Sequence, residues 1–230
     1  MLYKGGKVLE YFNDNDENVS INFEKQNKRY VYKGIKRIFD FIASLVGLVL
    51  LSPLFLIVAI AIKIEDPKGP VFYSQTRLGK KQAPFKMYKF RSMVVGADKH
   101  LKELLDENEV EGAMFKMKED PRVTKVGEFI RKYSIDELPQ LVNVLLGDMS
   151  LVGPRPPLPR EVKKYTEHDK LRLAVKPGCT GLWQISGRND VGFHEMVELD
   201  LKYIDRRGFM FDIYVLFKTV AVFVHPNGAY

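Results

Sequence analysis

The sequence predicts an α+β fold that is mainly helical and membrane-associated. Three observations predict it. A 22-residue run from Phe41 to Ile62 carries no formal charge and is long enough to cross a bilayer as a helix. Residues 71–93 flank a turn-rich Leu78-Gly79-Lys80-Lys81-Gln82 centre with aromatic and β-branched residues, a β-hairpin pattern. Apolar residues recur at helical spacing in 97–111 and 138–145, and 209–224 is a further apolar stretch.

Taken in chain order, residues 1–32 are polar and mixed in charge, and they read as a loosely ordered N-terminal extension. Asp14-Asn15-Asp16 imitates the start of a calcium loop, but Val19 stands where that loop needs glycine. Residues 33–66 form the membrane segment, FIASLVGLVLLSPLFLIVAIAI with its flanks. A buried core helix is the alternative reading, although such helices usually keep a polar stripe. The run starts too far into the chain and is too long for a cleavable signal peptide.

Ser52-Pro53 interrupts it. Proline has no N–H, so the Val49 carbonyl loses its helical partner and the helix kinks. In an apolar medium that carbonyl needs a substitute, and the Ser52 hydroxyl is the nearest candidate. Lys33, Lys36 and Arg37 precede the run, and Lys63 and Lys68 follow it. Positive charge at both ends qualifies both for the cytoplasm. This favours a re-entrant helix-break-helix, although a kinked spanning helix has the same sequence signature.

Residues 67–230 make up the remaining domain. Between Pro67 and Ala97 stand Lys68, Arg77, Lys80, Lys81, Lys86, Lys89 and Arg91, with no acidic residue. Such a stretch suits either lipid headgroups or a phosphate-bearing substrate. Residues 97–111 read as a short charged helix, and Asp120-Pro121-Arg122 as a turn. Ser134-x-x-Glu137 is a capping-box pattern ahead of a helix whose Leu138, Leu141, Val142 and Leu145 share one face and which Gly147 ends. Gly153-Pro154-Arg155-Pro156-Pro157 is a stiff extended segment presenting one arginine. Trp183 to Asn189 ends in a glycine-flanked loop carrying Arg188, and Phe209 to Val224 reads as an interfacial or core helix.

Composition narrows the chemistry. With 46% hydrophobic and 28% charged residues, the chain is not wholly disordered. The single cysteine, Cys179, excludes an intramolecular disulfide and a zinc-cysteine cluster. A net charge of +7 points to an anionic partner. No Walker-type phosphate loop, dinucleotide fingerprint or G-x-S-x-G elbow occurs, and the four histidines are not at metal-ligand spacing. Carboxylates and arginines remain. Ser134 and Glu137 have a purely structural reading as a cap. Yet Asp136 and Glu137 also lie at the positive end of a helix, which favours ionised carboxylates. An ionised aspartate can act as a nucleophile or hold Mg²⁺.

Several strings, in this order, resemble one family. They are Lys36-Arg37-Ile38-Phe39-Asp40, the Ser52-Pro53 break, Phe85 through Met93, Asp120 through Thr124, Ser134 through Leu141, Gly147 through Pro156, and Lys176-Pro177-Gly178 through Asn189. The family is the bacterial sugar transferases, the monotopic phosphoglycosyl transferases that act on polyprenol phosphate. The similarity runs from about residue 33 to the C-terminus, in the short form that consists of the catalytic unit alone.

The resemblance implies a small helical bundle with a β-hairpin on the bacterial cytoplasmic membrane, its catalytic domain on the cytoplasmic face and its helix re-entrant at Ser52-Pro53. It implies that Asp136, beside Glu137, attacks the sugar-bearing phosphate of a UDP-sugar. UMP leaves, and polyprenol (undecaprenyl) phosphate then takes the phosphosugar from the aspartyl intermediate. Mg²⁺, held by Asp136 and Glu137, offsets diphosphate charge. Arg188 is the first candidate for phosphate contact, followed by Lys89, Arg155 and Arg122. Arg155 and Arg122 also read as a loop salt bridge and a turn cap. Downstream glycosyltransferases are implied partners in capsule or exopolysaccharide synthesis. A non-catalytic scaffold on acidic lipids is the competing reading. Nucleic-acid binding through the aromatic, basic 85–90 stretch sits poorly beside a membrane-length apolar run, so no nucleic-acid partner is expected.

Overall fold

The computed structural model of the chain describes residues 8–12, 18–22, 28–97, 117, 120–186 and 192–224. Strands β1 (Val8–Phe12) and β2 (Asn18–Asn22) pair antiparallel. They lie within the stretch whose composition reads as a loose extension. The Asp14–Asp16 motif and the helix expected over 97–111 fall outside the described residues, apart from Ala97.

Helix α1 (Tyr30–Leu50) and helix α2 (Ser52–Glu65) meet at Leu51 with a bend of 58°. The break follows from Pro53, and the Ser52 hydroxyl donates to the Val49 carbonyl at 2.8 Å, taking the place of the amide that proline lacks. Among the described residues no single helix is long and apolar enough to cross a membrane, whereas the bent pair together reaches that length. Much of its apolar surface is bare: Val49, Leu50, Leu56, Ile57 and Ile60 are all exposed. Only Val58 and Ile62 of α2 are buried, against Phe90 and Ile130.

The hairpin follows. Strands β3 (Phe72–Leu78) and β4 (Pro84–Phe90) pair antiparallel, with Tyr73 opposite Lys89. Lys81 and Gln82 take positive φ in the turn, so the tight reversal rests on two strained non-glycine residues. Beyond β4 an isolated antiparallel bridge joins Met93 to Val123. Helix α3 (Lys125–Lys132) is capped by Thr124, whose hydroxyl accepts the Gly127 amide at 2.9 Å. A 3₁₀ turn (Ile135–Glu137) leads into helix α4 (Gln140–Leu146), and Gly147 ends it at φ 92°.

Strand β5 (Ser150–Val152) pairs in parallel with β6 (Gly178–Thr180), with the short helix α5 (Pro159–Val162) and a 3₁₀ turn (Asp169–Ala174) between them. Helices α6 (Leu182–Ile185), α7 (Phe193–Arg206) and α8 (Phe209–Val224) complete the chain. The main core gathers Met87 of β4, Val144 of α4, Met149, Leu151 and Val152 around β5, Val197, Leu201 and Ile204 of α7, and Val215 of α8. This is the mainly helical α+β architecture expected.

Two buried polar clusters tie α1 to that core. The Asp212 carboxylate accepts from Tyr32 at 2.8 Å, Tyr203 at 2.7 Å and Lys36 at 3.0 Å. Asp40 accepts the Ser150 hydroxyl at 2.7 Å and the Leu151 amide at 3.3 Å. Buried carboxylates are tolerable only when satisfied in this way.

Candidate active site

The acidic pair sits where the chain changes hand. Ser134 adopts the left-handed conformation (φ 51°, ψ 23°), and right-handed winding begins at Ile135. The expected capping box is not formed. An N-cap residue needs extended backbone angles, which Ser134 lacks, and its side chain makes no capping bond. Glu137, free of that role, turns instead to Lys89, whose ammonium donates to its carboxylate at 2.6 Å.

Asp136 is 7% exposed, and the same Lys89 nitrogen stands 3.7 Å from its Oδ2. Burial pushes the Asp136 carboxyl up to about 6; Lys89 and Arg131 oppose the rise, and the neighbouring Glu137 charge adds to it. Glu137, whose side chain is 43% exposed, moves the other way. Partial burial would raise it, but Lys89, Arg155 and Arg77 hold it below the usual carboxylate range. Two adjacent carboxylates are therefore pushed apart in basicity, which is how one site assigns two roles to like groups.

The geometry depends on one buried amide. Asn143 of α4 is fully buried. Its Oδ1 accepts the Tyr88 amide at 3.0 Å, and its Nδ2 donates to the Lys86 carbonyl at 2.7 Å. Its own carbonyl accepts the amides of Gly147, Asp148 and Met149. Strand β4, and Lys89 on it, is thereby clamped to the helix that follows the acidic pair. The clamp also sets the faces of α4. Gln140, Asn143 and Val144 face inward, while Leu141, Val142 and Leu145 are half-buried and Leu146 is exposed. A polar residue that completes its bonds inside outranks apolar periodicity.

The remaining candidates separate. Arg155, in the extended Gly-Pro-Arg-Pro-Pro segment, donates to Glu161 at 3.3 Å and still lies near enough to Glu137 to stabilise its charge. Arg122 is buried in its own turn, with Nε and Nη2 on the Asp120 carboxylate at 2.8 and 2.6 Å and Nη1 on the Ala97 carbonyl at 3.3 Å. Those contacts are the turn-cap reading and do not involve the acidic pair. Arg188 lies outside the described residues.

Arg77 of β3 is a residue that the sequence does not single out. It donates to the Pro156 carbonyl at 3.0 Å and to Gln75, stitching the hairpin to the Arg155 segment. Burial and the nearby Arg155 charge push its guanidinium down to about 9. Its sequence signal was only membership of the basic stretch. Among the described residues no three His, Cys, Asp or Glu side chains converge on a metal position. The pair itself supplies two carboxylates, the number Mg²⁺ commonly takes from a protein when phosphates complete its shell.

The description "bacterial sugar transferase" fits a family model that matches residues 31–226. The chain is 46% identical over 212 residues to the galactosyl transferase CpsE of Streptococcus agalactiae, an alignment covering 91% of this chain and 46% of that protein. It is 45% identical over 213 residues to the undecaprenyl-phosphate galactose phosphotransferase of Salmonella typhimurium, covering 91% and 44%. It is 43% identical over 199 residues to the exopolysaccharide production protein ExoY of Rhizobium meliloti, covering 85% and 88%. The chain thus spans a little under half of the first two relatives and most of the third.

Proposed function

The chain belongs to the bacterial sugar transferase family, and from that premise we propose that it moves a phosphosugar from a UDP-sugar to polyprenol phosphate. The products are UMP and a polyprenyl-diphosphate-sugar, the first membrane-bound intermediate of a capsule or exopolysaccharide. The names of relatives that act on undecaprenyl phosphate support this reading.

The observation that carries the mechanism is the buried Asp136 carboxyl, held near 6 between Lys89 and Glu137. At neutral pH it is ionised, yet more basic and so more nucleophilic than an exposed carboxylate. Asp136 Oδ attacks the sugar-bearing phosphorus; an Asp–O–P bond forms, the bond to the UMP oxygen breaks, and UMP leaves. A phosphate oxygen of the acceptor then attacks the same phosphorus and releases Asp136. Lys89 neutralises charge beside both carboxylates, and Arg155, Arg77 and Arg188 provide positive charge for the diphosphate. Asp136 and Glu137 would hold Mg²⁺, which supplies charge neutralisation on the phosphates.

The bent α1–α2 pair is a re-entrant membrane anchor, with both flanks on the cytoplasmic side. The 58° bend, the Ser52–Val49 bond and the exposed apolar surface support that placement. It keeps the site beside a lipid-borne acceptor.

The test is UMP release by the full chain in detergent with polyprenol phosphate, Mg²⁺ and a panel of UDP-sugars. One sugar should turn over, and Asp136→Asn should abolish it. Incubated with donor alone, the wild-type protein should gain the mass of one sugar phosphate. An Asp136→Asn protein that retains turnover would sink the nucleophile assignment.

A further inference from the structure

A charged cavity is lined by residues other than the acidic pair. It has a volume of about 210 Å³. Six cations line it, drawn from four parts of the chain: Lys33, Lys36 and Arg37 of α1, Lys80 of the hairpin turn, Lys176 before β6, and Arg207 after α7. None of the groups that face Asp136 and Glu137, namely Lys89, Arg131, Arg155 and Arg77, is among its lining residues.

Three of these cations, Arg37, Lys80 and Lys176, have no carboxylate partner among the described residues. Asp40 is the one carboxylate in the described lining; it accepts from Ser150 and Leu151 and pairs with Lys36 at 4.0 Å. Lys36 is committed to Asp212. Arg37 donates to the Val144 and Leu145 carbonyls at 2.6 and 2.9 Å, and among the described residues its charge meets no carboxylate. Among the described residues Lys80 and Lys176 make no ion pair; Asp40 and Asp148 act on Lys176 only from a distance. Burial and then neighbouring cations depress both amines: Lys81, Arg207 and Lys176 around Lys80, and Arg37 beside Lys176. Long-range folding has concentrated like charge in a partly closed space, which costs free energy until a counter-charge arrives.

We propose that this cavity is an anion site for one phosphate group, separate from the reaction centre. Size argues for a single phosphate. The cavity offers about 210 Å³. It lies below the ~300 Å³ at which pockets begin to enclose larger ligands such as a nucleotide. The phosphate has two possible sources, a lipid headgroup or the free ion. The α1 cations lie directly before the uncharged run that begins at Phe41, which places the cavity beside the headgroups of any bilayer that takes up that run.

The test is calorimetric titration of the full chain in neutral detergent with two probes, inorganic phosphate and a short-chain phosphatidic acid, with short-chain phosphatidylcholine as the zwitterionic control. Lys80→Ala/Lys176→Ala should weaken phosphatidic acid binding at least ten-fold. Lys163→Ala/Lys164→Ala, an equal charge change at exposed positions, should alter it less than two-fold. Lys176→Arg should keep binding, and removal of like charge should leave the double variant's melting temperature equal or higher. Binding of phosphatidic acid alone assigns the site to headgroups; binding of both probes assigns it to phosphate of either source. Absence of binding in the wild type, or equal loss in both double variants, overturns the proposal. No readout depends on sugar transfer.

Discussion

Replacing Lys89 by methionine tests the electrostatics of the acidic pair. The ammonium is 3.7 Å from Asp136 and 2.6 Å from Glu137. Two unit charges 3.7 Å apart interact by roughly 1 kcal/mol in water and about 4 kcal/mol at an effective dielectric near 20. Since one pH unit corresponds to about 1.4 kcal/mol, losing the lysine raises the Asp136 midpoint by about 1 to 3 pH units. The wild-type carboxyl, at about 6, is roughly nine-tenths ionised at pH 7. In Lys89→Met it is about half ionised or less. The assay is the pH profile of UMP release between pH 5 and 9. The wild-type rate should fall as pH drops through about 6, and the variant's acid limb should lie at least about one unit higher. Two coupled carboxyls share that limb, so its displacement is the diagnostic quantity. A variant whose rate falls equally at every pH, with its acid limb unmoved, would refute the argument and leave Lys89 a steric or binding role.

The same carboxyl carries a stability cost. A folded midpoint of about 6 against an ordinary value of 3.8 means the native state binds the proton more tightly, so stability falls as pH rises from about 4 to 6. Asp136→Asn should therefore melt higher than wild type at pH 7, by several degrees for a cost of up to about 3 kcal/mol; a lower melting temperature at pH 7 contradicts this. Asn143→Leu strands the Tyr88 amide and the Lys86 carbonyl and should cost about 2 to 4 kcal/mol, read by chemical unfolding, with a change below about 0.5 kcal/mol counting against the clamp. Pro53→Leu restores an amide to the Val49 carbonyl and should straighten the 58° bend; protease accessibility of both flanks in oriented vesicles checks it, and unchanged same-side accessibility argues against proline as the cause. Arg122→Lys should lower the melting temperature while sparing the KM for UDP-sugar, and a raised KM would return Arg122 to the substrate.

Local chemistry made part of this molecule legible. The broken helix, the Ser52 hydroxyl on the Val49 carbonyl, the hairpin turn and the Gly147 stop each follow from one or two residues and their neighbours. The inward face of α4 did not, because Asn143 is buried only by virtue of strand β4, far away in the chain. Ser134-x-x-Glu137 matched a cap, but a left-handed Ser134 and the distant Lys89 claimed those residues for another arrangement. The Asp136-Glu137 pair was legible as a pair, whereas the asymmetry between its members depends on burial and on cations from β3, β4 and the Arg155 segment. The convergence of Lys80, Lys176 and α1 has no signature in any single stretch.

Lys89 and Glu137 are separated by 48 positions, and two further long-range contacts bring their elements together: the Asn143 clamp and the Met93–Val123 bridge. The bridge joins Met93, just past β4, to Val123, just before α3 begins. The distance from ammonium to carboxylate is therefore held by contacts among uncharged residues, none of them a member of the acidic pair.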